Sequence, residues 1–251
     1  GSASAADLAR KLAEAQALRW LTRSEADVGF ADGVQEPLRF IARTGGGRIA
    51  VSDYGPPNGK PLLVVHSSVT SRVVARGLLR ALHEAGFRPI AIDRPGFGLT
   101  DPAGPGEDHY ALAAQDAVRV LDALGVRRTD LVARGGAQAV LPLARLAPER
   151  LGRVLLINPD PHSTPDGRRV GPFGVFKEAF RRNPAMIRAY VTLLARQYTL
   201  DRYGDVMAAL MRGSPPDEAA ARDPEIVRDY FRAQRMFAAG RTDGCVAEQV
   251  E

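Results

Sequence analysis

The chain has 251 residues, long enough for one large core or a core with a cap, and its 45% apolar and 25% charged residues are ordinary for a globular domain. The net charge of +5 comes almost wholly from arginine, with lysine only at 11, 60 and 177. Basic runs stop at pairs such as Arg127-Arg128 and acidic residues are interspersed, so a solvated surface is read ahead of a nucleic-acid groove. No apolar run approaches the roughly 18 residues of a membrane span. There is no basic-then-apolar leader, and the lone Cys245 admits no internal disulfide and is read as a packed small residue. These features predict a cytoplasmic protein with no membrane contact.

In chain order, Leu8, Leu12, Ala15, Leu18 and Leu21 recur at helical spacing and predict a helical extension within residues 1–35. Leu38-Arg39-Phe40-Ile41-Ala42 and Arg48-Ile49-Ala50-Val51-Ser52 flank Gly45-Gly46-Gly47, which predicts an antiparallel hairpin. Leu62-Leu63-Val64-Val65 is a continuous apolar run suited to a strand buried on both faces. A helix with Val74, Leu78, Leu79 and Leu82 follows, then the strand Pro89-Ile90-Ala91-Ile92. The next helix, over about 110–124, places Ala114, Ala117, Val118, Leu121 and Leu124 on one face. Leu131-Val132-Ala133 and Val154-Leu155-Leu156-Ile157 complete the predicted strands.

Strands alternating with helices predict a mostly parallel α/β sheet with right-handed crossovers. Ligands in such sheets bind outside the carboxyl ends of the strands. Three segments stand at those ends: His66-Ser67-Ser68, Asp93-Arg94-Pro95-Gly96-Phe97-Gly98 and Arg134-Gly135-Gly136. After Pro159 the pattern becomes helical, with helices predicted over 174–183, 184–198, 200–212 and 223–240. The expected organisation is a core over 36–165 and a helical cap over 166–251. The cap's aromatics and methionines are read as packed against the sheet, ahead of a cofactor box, so neither cofactor nor metal is expected.

The span 38–160 resembles the α/β-hydrolase superfamily. The likeness is carried by the strand ending in His66, by Ile92-Asp93-Arg94-Pro95-Gly96-Phe97-Gly98-Leu99-Thr100-Asp101, and by Pro148-Glu149-Arg150 before Val154. It implies a mostly parallel sheet flanked by helices, a cap after the sixth strand, and a G-x-S-x-G turn between the fifth strand and its helix. That turn here reads Ala133-Arg134-Gly135-Gly136-Ala137, with glycine where the nucleophile stands. By the same resemblance, Ser67 fills the second place of an H-G pair, and Ser68 and Gly136 would supply oxyanion-hole N–H groups. Arg134 would bring a fixed positive charge to the pocket. The implied ligand-binding set is therefore Ser67, Ser68, Arg134, Gly135 and Gly136.

Asp160 stands where some members place their acid, although a turn role is the plainer reading. Among the histidines, His66 is expected in the oxyanion loop, His83 in a helix, His109 in a loop and His162 after the sixth strand. None has the position of a catalytic base. The acid- and histidine-bearing strands are expected to be missing, leaving a sheet edge for another segment to cover.

Each residue also has a structural role to fill. His66 is read as a hydrogen-bonded structural histidine, Ser67 and Ser68 as turn formers, Asp93 with Arg94 as a loop-fixing ion pair, and Gly135-Gly136 as a close backbone passage. The expected function is a catalytically degenerate module that binds a small apolar or acyl ligand. A serine-type hydrolase of an ester, amide or C–C bond and a scaffold with a closed pocket are the alternatives. Residues 5–12 loosely resemble the last helix of a helix-turn-helix domain. That likeness implies the sensor domain of a transcriptional regulator, with DNA contacted through a separate domain and a homodimer admitted.

Overall fold

The computed structural model describes residues 36–68, 70–135, 137–157, 183–197, 199–239 and 243–250. The predicted extension at 1–35, residues 174–182 of the helix predicted over 174–183, Gly136, Asp160 and His162 lie outside them. Six strands form one sheet: β1 (Arg39–Ala42), β2 (Arg48–Asp53), β3 (Lys60–Val65), β4 (Phe87–Ile92), β5 (Thr129–Arg134) and β6 (Leu151–Ile157). Their order is β1-β2-β4-β3-β5-β6. The β1–β2 and β2–β4 pairs are antiparallel, and β3–β4, β3–β5 and β5–β6 are parallel. Each predicted strand is present; β1 starts one residue later than predicted, and the others extend by up to three residues where the apolar signal fades into polar neighbours.

The crossovers are α1 (Arg76–Glu84), α2 (His109–Ala123) and α3 (Ala137–Leu146). The main core joins Ile49, Leu63, Ile90, Ile92 and Leu131 of the sheet to Ala117, Val120, Leu121, Val140 and Leu143 of α2 and α3. Burying each of the larger aliphatic side chains contributes about 1.5–3 kcal/mol. Helix α2 starts one residue earlier than the periodicity predicts, because Asp108 caps it by accepting from the N–H groups of Tyr110 and Ala111, both at 2.9 Å. Helix α1 starts after Val74 and buries none of its residues, and Leu78 is 48% exposed.

Beyond the sheet lie α4 (Pro184–Gln197), α5 (Leu200–Leu210), α6 (Pro215–Ala220), α7 (Pro224–Ala239) and α8 (Asp243–Val250). Three of these match predicted helices, whereas α6 and α8 were not predicted. Helix α6 begins where Gly213-Ser214-Pro215-Pro216 reads as a break, because proline at the first helical position starts a helix as readily as it ends one. Cys245 is buried with Val246 against Phe97, Ile187 and Val191, as its reading as a packed residue requires.

Strand β6 is the expected sheet edge. Among the described residues it pairs with β5 alone, and Val154, Leu155, Leu156 and Ile157 are 36–59% exposed. No helix among the described residues is long and apolar enough to cross a membrane.

Candidate functional site

The parallel register pairs Val65 with both Ile92 and Ala133, so the segments after β3, β4 and β5 emerge side by side at the carboxyl edge of the sheet. The sheet thus brings together Ser67, Ser68, Asp93, Arg94, Arg134 and Gly135. Gly135 has φ of 62°, and its N–H donates to the Ile157 carbonyl at 2.9 Å. A left-handed backbone there costs any residue with a Cβ about 1–2 kcal/mol. Strand, sharp turn and helix follow one another as in a nucleophile-bearing turn, and the side chain is absent.

His66 is structural, as its sequence context suggests. Its Nδ1 donates to the Ser67 carbonyl at 2.8 Å, and its Nε2 accepts from the Arg94 N–H at 3.0 Å. Both ring nitrogens are thereby engaged and the tautomer is fixed. Burial, then the Arg94 charge, pushes its pKa down to about 4, so the ring is neutral. Phe97 stands edge-on to it, with ring centroids 5.0 Å apart.

Ser67 forms the expected turn: its N–H donates to Thr70 Oγ1 at 3.1 Å, and the Thr70 N–H donates to its carbonyl at 3.2 Å. Ser68 does not. Its hydroxyl donates to Glu248 Oε2 of α8 at 2.5 Å.

The expected Asp93–Arg94 ion pair is also absent. Asp93 pairs with Arg72, whose Nη1 lies 2.7 Å from Oδ2, and both side chains are fully buried. Asp93 also accepts from the backbone N–H groups of Arg72 at 2.7 Å and Leu99 at 3.0 Å. Arg94 instead pairs with Glu248, and His109 Nε2 lies 3.5 Å from the same carboxylate. Burial alone raises the Glu248 pKa, but the Arg94 charge, the nearby His109 ring and the hydrogen bond from Ser68 outweigh it and hold the group at about 2. His109, predicted in a loop, is the buried first residue of α2. Further along the same motif, Thr100 Oγ1 and Asp101 Oδ2 accept from the N–H groups of Ala50 and Arg48 on β2, both at 2.9 Å. Much of the motif therefore builds the loop itself.

The charge of Arg134 is not free in the pocket. Its guanidinium lies 5.2 Å from the centre of the Tyr230 ring on α7. Helix α7 also ties down the loop after β3, since Ser71 Oγ donates to the Ala233 carbonyl at 3.3 Å. At α1 the N-cap residue Ala75 offers no side-chain acceptor, and Asp229 of α7 accepts from the N–H groups of Arg76 at 2.5 Å and Gly77 at 2.8 Å.

Helices α7 and α8 thus contact the carboxyl edge of the sheet, where a ligand pocket is expected. A groove of about 760 Å3 lies elsewhere, between β1, α2 and the segment leading into β6, and is lined by Ile41, Arg119, Leu146 and Arg150 among others. It holds none of the groups above, so the convergent donors at the sheet edge, not this groove, mark the candidate site. Sequence reasoning missed Arg72, Asp229 and Glu248, and it misplaced His109.

Residues 60–184 match the family described as alpha/beta hydrolase fold. The non-heme haloperoxidase of Rhodococcus erythropolis is 32% identical over 156 residues, covering 58% of this chain and 55% of that protein. The 2-hydroxy-6-oxo-6-phenylhexa-2,4-dienoate hydrolase of Comamonas testosteroni is 40% identical over 78 residues, 30% of this chain and 27% of that protein. The chain spans about half the length of the curated relatives it matches over the longest stretches. Among solved structures, an esterase from Exiguobacterium antarcticum superposes with a TM-score of 0.58 at 19% identity, covering 84% of this chain and 71% of that one. A hydrolase from Pseudomonas aeruginosa superposes at 0.53 and 24% identity, covering 85% and 71%. The chain has the α/β-hydrolase fold.

Proposed function

We propose that this chain is a non-catalytic α/β-hydrolase-fold module that binds a small apolar or acyl ligand at the carboxyl edge of its sheet. The observation that carries this reading is Gly135: the strained strand-to-helix turn is kept, at φ of 62°, without a group to attack a substrate. Among the described residues, neither Ser67, whose hydroxyl faces Thr70, nor Ser68, whose hydroxyl faces Glu248, is paired with a histidine base. Binding without turnover suits a ligand sensor, and a regulator's sensor domain is the setting we propose for it.

A second reading is favoured by the relatives, several of which are named as hydrolases. In it the fold serves a serine-type hydrolase of an ester, amide or C–C bond whose nucleophile Gly135 has replaced. Hydrolysis of a chain-length series of p-nitrophenyl esters by the protein and by Gly135→Ser separates the two. The binding reading expects no turnover by either. Turnover by the unmodified protein would overturn it, and turnover by Gly135→Ser alone would favour the second reading.

A further inference from the structure

Donors from three separate segments of the core converge on one carboxylate. Ser68 lies after β3, Arg94 after β4, and His109 opens α2. Ser68 Oγ is 2.5 Å from Glu248 Oε2, while Arg94 Nη1 and His109 Nε2 face Oε1. The three donors belong to the sheet and its crossovers, and only the acceptor arrives from α8. The core therefore presents a carboxylate receptor, and Glu248 fills it.

Glu248 uses only part of that receptor. Arg94 Nε and Nη2 have no hydrogen-bond partner among the described residues, although the side chain is only 1% exposed. Buried donors are normally satisfied, and an unpaired one is costly. A guanidinium presents its N–H groups as a planar fork that matches both oxygens of a carboxylate. Glu248, held on a helix, meets one tine of that fork. A carboxylate free of a helix can meet two.

Helix α8 is held by the Gly244 N–H donating to the Gly96 carbonyl at 3.0 Å, by the exposed ion pair of Asp243 with Arg188 of α4 at 2.7 Å, by the burial of Cys245 and Val246 against Phe97, Ile187 and Val191, and by the Glu248 contacts. Gly244 passes so close that a Cβ there would overlap the Phe97 ring and the Pro95 carbonyl.

We propose that Ser68, Arg94 and His109 form a subsite for the carboxylate of a small organic acid, and that Glu248 occupies it as an internal competitor. This deepens the binding reading, on which it rests, by naming the ligand's polar end. Ligand entry displaces α8, so occupancy of the site is coupled to the order of that helix.

The probes are sodium hexanoate and its neutral isostere hexanamide, titrated calorimetrically into the unmodified protein, Glu248→Gln and Gly244→Ala. Glu248→Gln keeps a hydrogen-bonding side chain but removes the competing charge, and it is expected to bind hexanoate about tenfold more tightly or better. Its affinity for hexanamide should not change. Gly244→Ala loosens α8 while retaining Glu248 and all three donors, so its hexanoate affinity should rise in the same direction. Adding Ser68→Ala to Glu248→Gln should reverse the gain. In the unmodified protein, saturating hexanoate should speed amide exchange across residues 243–250.

Equal hexanoate affinity in the unmodified protein and in either folded variant would overturn the proposal. So would an equal gain for hexanamide, or unchanged exchange in α8 at saturation. Should Glu248→Gln fail to fold, Gly244→Ala and the exchange experiment decide the matter alone. Hexanoate binding that ignores position 248 would sink the subsite and leave the binding module standing. Ester turnover would sink the module reading and leave the subsite measurable.

Discussion

Replacing Asp93 by asparagine removes one charge with almost no change in shape. In the native structure Asp93 receives three donors: the Arg72 N–H on Oδ1, and Arg72 Nη1 and the Leu99 N–H on Oδ2. An amide offers one oxygen, so its NH2 must face at least one of those donors. With the oxygen towards Nη1 and Leu99, the Arg72 N–H is stranded, which costs about 1–3 kcal/mol. The larger effect is on Arg72, whose guanidinium is fully buried and loses its counter-charge. Breaking one side of a buried pair costs about 3–5 kcal/mol in all. For a chain of this size that lowers the melting temperature by about 6–20 °C.

The control is the pair of Arg150 and Asp122, also 2.7 Å apart, in which Asp122 is 62% exposed. Asp122→Asn should cost no more than about 1 kcal/mol. Both variants are compared by thermal melting followed by circular dichroism, and Arg72→Met, alone and with Asp93→Asn, completes a double-mutant cycle. The double variant should be more stable than the sum of the single losses, because an apolar side chain leaves no charge to neutralise. A shift under about 2 °C for Asp93→Asn, or strict additivity in the cycle, would refute the assignment.

Asp229→Ala removes the cap that α7 lends to α1, and it should lower stability by about 1–2 kcal/mol and speed exchange of the Arg76 and Gly77 amides; unchanged exchange there would count against the contact. The pH dependence follows from His66, whose pKa falls from 6.5 to about 4 on folding. Its contribution is complete above pH 6.5 and is lost as pH falls towards 4, amounting to about 2 kcal/mol between pH 7 and pH 5. Glu248 is still ionised in that window, because its contribution is lost only between its ordinary 4.5 and about 2. Urea titrations at the two pH values should therefore show the loss in the native protein and a smaller one in His66→Gln, and equal slopes would exclude His66 as its source.

The sheet was legible because its signals are local. A strand buried on both faces must be apolar along its length, and Leu62–Val65 and Pro89–Ile92 announce themselves without knowledge of their neighbours. The hairpin was legible for a related reason, since its turn glycines lie between two alternating runs. Helix α8 carries no comparable signal: eight residues span scarcely two turns, too few for a periodicity to emerge. Its role depends on Glu248 meeting Ser68 at a separation of 180 residues. No window-based reading contains both.

The exchange of partners at Asp93 and Arg94 has a different cause, and the sequence did contain it. These residues follow β4 directly, and the Asp93 N–H still bonds to the Ala50 carbonyl of β2 at 3.1 Å, prolonging the strand ladder. Successive side chains on an extended backbone point to opposite sides. Adjacent opposite charges in such a segment are therefore held apart, each needing a partner of its own once buried. Asp93 finds Arg72 on one side, and Arg94 finds Glu248 on the other. Neighbours in sequence made the pair look self-sufficient. The alternation of the strand required two further residues, an arginine and a carboxylate, which the chain brings from the loop after β3 and from α8.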